Sequence, residues 1–121
     1  MDRVLIVEND PHCREWMEGM LRFNSYDCVS ATDEMEAMKL CRENSPDIIV
    51  ADIDSAEHCI GPDYIKALKE EFPEVYILAV ARNRLMVNWE LEKAIDFGAD
   101  EAMKIPKKTR TLVGKIHSML H

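Results

Sequence analysis

Three runs of apolar residues constrain this chain more than any other feature: Val4-Leu5-Ile6-Val7, Ile48-Ile49-Val50-Ala51 and the nearly continuous apolar segment 75–81. Each is too short for an ordinary helix and shows no alternation of polar with apolar positions. A strand with one wet face reads with period two. A run with no alternation is expected to be covered on both faces, as in a parallel sheet between two layers of helices.

The segments between the runs have helical character. Pro11 opens the first helix, where its fixed φ and missing N–H do no harm, and Asn9 or Asp10 is placed to cap it. Cys13, Trp16, Met17, Met20 and Leu21 then recur at the spacing of an amphipathic face. A strand is expected over 26–31 and a helix over 33–44, capped by Thr32 or Asp33, with Ala37, Leu40 and Cys41 inward. Strand three spans 47–53. An irregular stretch, 54–61, leads to a helix from Pro62 with Ile65, Leu68 and Phe72 inward. Strand four is followed by a loop holding Arg82, Asn83 and Arg84, then by a helix over 85–97 that Gly98 ends. A fifth strand, 101–105, stops at Pro106. A last helix, 107–120, buries Leu112, Val113, Ile116, Met119 and Leu120. The expected class is α/β, a single (βα)5 domain spanning residues 1–121, with a five-stranded parallel sheet between two helical layers.

Composition narrows the function classes. The formal charge is −8 over 121 residues, and such a surface repels phosphate backbones, so no direct nucleic-acid binding is expected. The cysteines at 13, 28, 41 and 59 form no C-x-x-C pair and show no zinc-finger spacing. Cys13, Cys28 and Cys41 read as small core hydrophobes, and Cys59 falls in a loop. The eight methionines read mostly as core filler. The run Val4-Leu5-Ile6-Val7 is too short for a membrane span or a signal peptide, so a cytoplasmic protein with no membrane contact is expected.

In an open parallel sheet, ligands bind beyond the carboxyl ends of the strands, where the strand order switches direction. The residues at those ends are Glu8, Asn9 and Asp10 after the first strand, and Asp52 and Asp54 at the third. If these strands are neighbours, their carboxylates share one crevice. Clustered carboxylates raise one another's pKa unless a cation joins them. Mg²⁺ suits such a cluster because it takes few protein oxygens and keeps water or phosphate oxygens as its other ligands. Asp52 ends a buried run and reads as functional. The side chains of Asp10 and Asp54 read more simply as helix caps or solvent-facing acids.

Three segments in this order, VLIVENDP, SPDIIVADID and FGADEAMKIP, resemble the two-component receiver domain over essentially the whole chain. The resemblance implies the flavodoxin-like strand order 2-1-3-4-5. It makes Asp52 the phospho-acceptor and assigns Mg²⁺ to Glu8 through water, Asn9, Asp52 and the backbone carbonyl of Asp54. It implies a signalling module rather than an enzyme. A sensor histidine kinase or phosphotransfer protein would be the donor, an effector protein or domain would lie downstream, and two copies could pair through the fourth and fifth helices.

Several positions depart from the family pattern. Asn9 replaces a metal-binding aspartate, so weak Mg²⁺ binding is expected. Ile105 stands at the family's lysine, Val80 or Ala81 at its Ser or Thr, and Ala102 at its switch aromatic. The loop after Asp52 lacks the usual proline and reaches Gly61 about one residue late. Lys104, next to Ile105, should face the other side of the sheet. Arg82 or Arg84 could lend a cation to phosphoryl oxygens, although solvated loop arginines are the simpler reading. The departures keep a rival open: a degenerate receiver that binds proteins without phosphorylation. Asp52-Ile53-Asp54 also matches the D-x-D of aspartyl-nucleophile phosphatases, but there the motif follows the first strand. A flavin carrier would want an anion-friendly loop where Glu8-Asn9-Asp10 stands.

Overall fold

Alternate residues of each central strand belong to two separate cores, and the architecture follows from that division. A computed structural model of the protein describes residues 2–53, 63–81, 87–105 and 109–121. The elements run β1 (Arg3–Val7), α1 (Pro11–Phe23), β2 (Asp27–Ala31), α2 (Glu34–Asn44), β3 (Ile48–Asp52), α3 (Asp63–Glu71), β4 (Tyr76–Ala81), α4 (Val87–Asp96), β5 (Glu101–Lys104) and α5 (Thr109–Leu120). The five strands form one sheet in the order β2-β1-β3-β4-β5, and every pairing is parallel.

Leu5, Val7, Ile49, Ala51, Ile77 and Ala79 pack with Ala37 and Cys41 of α2, Ile65 and Leu68 of α3, and Ala94 of α4. Val4, Ile6, Ile48, Val50, Leu78 and Val80 pack on the other face with Met17, Met20 and Leu21 of α1 and Leu112 and Ile116 of α5. Both faces are therefore dry, and the apolar runs show no alternation for this reason. Each fully buried Leu or Ile contributes about 1.5–3 kcal/mol relative to exposure.

Helix ends carry the expected chemistry. Asp10, rather than Asn9, caps α1, its carboxylate accepting from His12 N at 2.9 Å. Asp33, rather than Thr32, caps α2 by accepting from Glu36 N at 2.8 Å, while Glu36 Oε1 accepts from Thr32 N at 2.8 Å. β3 and β5 each end one residue inside the expected limits, yet their hydrogen bonding continues: Ile53 N donates to Val80 O at 3.0 Å and Ile105 N to Ala81 O at 2.7 Å. The expected stretch 54–61, the helix start at Pro62, the loop with Arg82, Asn83 and Arg84, and Pro106 lie outside the described residues. Met17 and Met20 fill the core and Met38, Met103 and Met119 pack against it, whereas Met35, on the face of α2 opposite Ala37 and Cys41, is 83% exposed.

The thiols of Cys28 and Cys41 are buried. Burial, then the charge of Glu71, pushes the Cys41 thiol up to about 11, which fits its reading as a hydrophobe. Among the described residues, no helix is long and apolar enough to cross a membrane.

The amino edge of the sheet is tied by one lysine. Lys69 Nζ of α3 donates to Val75 O at 3.0 Å and to Asp100 Oδ2 at 2.9 Å, and Ile77 N donates to that same carboxylate oxygen at 2.8 Å. Gly98 makes the turn between α4 and β5 with φ +121°, and a Cβ there would lie 3.1 Å from Cβ and Cγ of Lys69. Gly98→Ala combines a backbone conformation that side chains rarely adopt with pressure on this lock. It should lower unfolding free energy by roughly 1–3 kcal/mol, read in urea as a lower midpoint at unchanged m value.

Candidate functional site

The ladder between β1 and β3 ends with Val7 opposite Ala51. Glu8 and Asp52 are the next residues of two neighbouring strands, whose axes lie about 4.8 Å apart. Parity extends to them. Asp52 follows Ile48 and Val50, and Glu8 follows Val4 and Ile6, on the α1/α5 face. The two carboxylates are the buried charged residues of the described chain, with Glu8 0% and Asp52 2% exposed. The sheet order thus brings together the two acids that the sequence pointed to, at the carboxyl edge.

Backbone and side-chain donors hold Glu8. Its Oε1 accepts from Asp10 N at 3.0 Å, and its backbone carbonyl accepts from Arg14 Nη1 at 3.1 Å. Asn9 is half-buried between Glu8 and the helix cap. The Asp10 carboxylate caps α1, as the simpler reading of that residue had it. Arg14 was not singled out in the sequence. An arginine one turn into a helix that starts beside an acidic pair is the signal that could have found it.

The wall beside the carboxylates is aliphatic. The β3–β4 register sets Asp52 opposite Val80, which is wholly buried and on the same face. Ala81 belongs to the other core. Val80 therefore occupies the position where a Ser or Thr was expected by resemblance. Ile105 and Met103 pack against the α1/α5 core, whereas Ala102 packs against the opposite one. Lys104 lies between them in sequence and is exposed, in line with strand alternation.

A tyrosine reaches the site from the other layer. Tyr64, in the first turn of α3, donates its hydroxyl to the backbone carbonyl of Asp52 at 3.0 Å. Its burial, and then the negative charges of Asp52, Glu8 and Glu34, hold the phenol pKa well above its ordinary value, so the hydroxyl stays a donor across the usual pH range. Sequence reasoning passed over Tyr64. A tyrosine on an otherwise apolar inward face needs a partner for its hydroxyl, and that requirement was the available clue.

Among the described residues, no group of three or more His, Cys, Asp or Glu side chains is arranged to hold a metal ion. The expected set is of another kind: two carboxylates, the Asn9 amide oxygen and the backbone carbonyl of Asp54, which lies outside the described residues along with Arg82 and Arg84. All are hard oxygen donors, the type that suits Mg²⁺. A cleft of about 510 Å³ lined by Asp47, Phe72 and Tyr76, among others, lies toward the amino edge and contains none of the expected site residues.

Comparison with known proteins agrees with this geometry. The response regulator MprA of Mycobacterium sp. (strain KMS) is 29% identical over 98% of this chain, which spans 50% of that protein. The chain thus covers about half the length of the curated relatives it matches. A crystal structure of a response regulator receiver domain protein from Clostridium thermocellum superposes with a TM-score of 0.83 at 17% identity, covering 99% of this chain and 94% of that one. NtrX from Brucella abortus superposes with a TM-score of 0.88 at 20% identity, covering 99% of this chain and 27% of that one. At such identities the structures speak for the fold alone. The family profile of the response regulator receiver domain matches residues 4–117, and with five parallel strands in the order 2-1-3-4-5 the chain belongs to that family.

Proposed function

We propose that this domain accepts a phosphoryl group on Asp52, from a histidine kinase or phosphotransfer protein, and signals through protein contacts. The observation that carries the reading is the burial of the Asp52 carboxylate beside Glu8 at the carboxyl edge of the central strands. An Asp52 carboxylate oxygen would attack the donor phosphorus. A P–O bond to Asp52 forms as the bond to the donor's nitrogen or oxygen breaks, and the leaving group takes the bonding pair. Glu8 through water, Asn9, Asp52 and the Asp54 carbonyl would hold Mg²⁺, which offsets the charge developing on the phosphoryl oxygens.

The surrounding residues make this a slow receiver. Val80 and Ile105 present methyl groups where a hydroxyl and an ammonium would stabilise the transferred group. Loss of one preorganised donor costs roughly 2.7–4 kcal/mol, or about 10²–10³ in rate. The same aliphatic pair favours a second reading, a phosphorylation-independent binding module built on the receiver fold. Acetyl phosphate separates the two. With Mg²⁺ present, intact mass should show slow gain of one phosphoryl group, abolished in Asp52→Asn. No labelling of the parent, or of an Asn9→Asp/Ile105→Lys variant, would favour the second reading.

Two substitutions test the weakened machinery. Asn9→Asp restores a negative charge beside the ion. A unit charge at about 4 Å changes the interaction by roughly 1–4 kcal/mol depending on screening, so calorimetry should show Mg²⁺ binding tightened about fivefold or more. Ile105→Lys returns a cation to the edge of β5 and should raise the labelling rate toward the range that one donor supplies, about 10²-fold. An unchanged rate would mean that position 105 does not face the transferred group.

A further inference from the structure

The peptide unit that joins Asp52 to Ile53 is held from two sides. Its N–H, on Ile53, donates to Val80 O of β4 at 3.0 Å. Its carbonyl, on Asp52, accepts from the Tyr64 hydroxyl of α3 at 3.0 Å. That carbonyl belongs to the residue just past Ala51, the last of β3 that is paired with β1. A side chain from the helical layer thus donates to the backbone just beyond the end of that ladder.

Packing alone does not require a hydroxyl here. Tyr64 sits in the core with Ile65 and Leu68, and it is 3% exposed. A phenylalanine would fill the same space, but it could not reach the carbonyl with a donor. The plane of the 52–53 peptide is bonded directly to the Cα that carries the Asp52 side chain, so rotation of that plane turns the carboxylate.

We propose that Tyr64 is a positioning residue for Asp52: its hydroxyl fixes the 52–53 peptide and with it the direction in which the carboxylate meets a phosphoryl donor. The inference rests on the reading of Asp52 as acceptor. Catalysis by positioning is steep, since a displacement of about 1 Å can cost on the order of 10²-fold in rate. Loosening one of two anchors should cost less, about tenfold.

The test uses the full chain with acetyl phosphate and Mg²⁺, donor concentration varied, labelling followed by intact mass, and amide exchange followed by NMR. Tyr64→Phe should lower the maximal labelling rate about tenfold with the KM for acetyl phosphate unchanged. The Ile53 amide should exchange faster while that of Val50 keeps its protection. Leu68→Ala loosens the same helix but leaves the hydroxyl in place, and it should label near the parent rate. Normal labelling of both parent and Tyr64→Phe would overturn the role of Tyr64 and leave the acceptor reading standing. Equal slowing in Leu68→Ala would overturn it too, because the effect would then be one of helix packing. No labelling of the parent would overturn the acceptor reading itself. In that case unchanged Ile53 exchange in Tyr64→Phe overturns the anchor as well, and faster exchange supports it.

Discussion

Each central strand must satisfy two cores at once, and this double coverage governs most of the molecule. Residues of even number in β1, β3 and β4 face α1 and α5, and those of odd number face α2, α3 and α4. A one-residue slip in any ladder would send every side chain of that strand into the wrong layer. The same rule decides what stands at the carboxyl edge. Asp52 and Val80 share a face because their strands share a register. The chemistry of the edge is set by parity before it is set by any contact among the side chains there.

That edge is built of two unlike halves. Toward β1 and β3 it offers carboxylates: Glu8, held by Asp10 N and approached at its carbonyl by Arg14, and Asp52, whose carbonyl is held by Tyr64. Toward β4 and β5 it offers Val80 and Ile105. A polar half thus faces an aliphatic wall, and under the proposed reading the attacking carboxylate stands without donors that would steady the group attacked. The Asp10 carboxylate also occupies an amide at the start of α1, so that helix terminus is engaged within its own chain.

Much of this was legible in the chain of letters. Unbroken apolar runs implied a parallel sheet covered on both faces. Pro11 and Asp33 marked helix starts, Gly98 a helix end, and Asp52 stood out as an acid closing a buried run. What was not legible depended on relations between elements. Whether Val80 or Ala81 faces Asp52 is a matter of ladder register, and two adjacent small apolar residues carry no mark of it. Asn9 and Asp10 were equally good caps until the backbone chose one. Tyr64 and Lys69 read as parts of one amphipathic helix, because their polar atoms bond to β3, to the segment leading into β4 and to the turn before β5, all distant in sequence.

Those last two residues give α3 an unusual mechanical standing. Tyr64 fastens its first turn to the carboxyl edge of the sheet, and Lys69 fastens its last turn to the amino edge. The helix is a strut pinned at both ends, and the five-residue step from one pin to the other corresponds to about 7.5 Å of rise and a set angle around the axis. One inserted residue between them would turn one pin by about 100° and push it about 1.5 Å further along, so neither pairing could survive with the other. Residue types between the pins can vary within the limits of packing, but their number cannot.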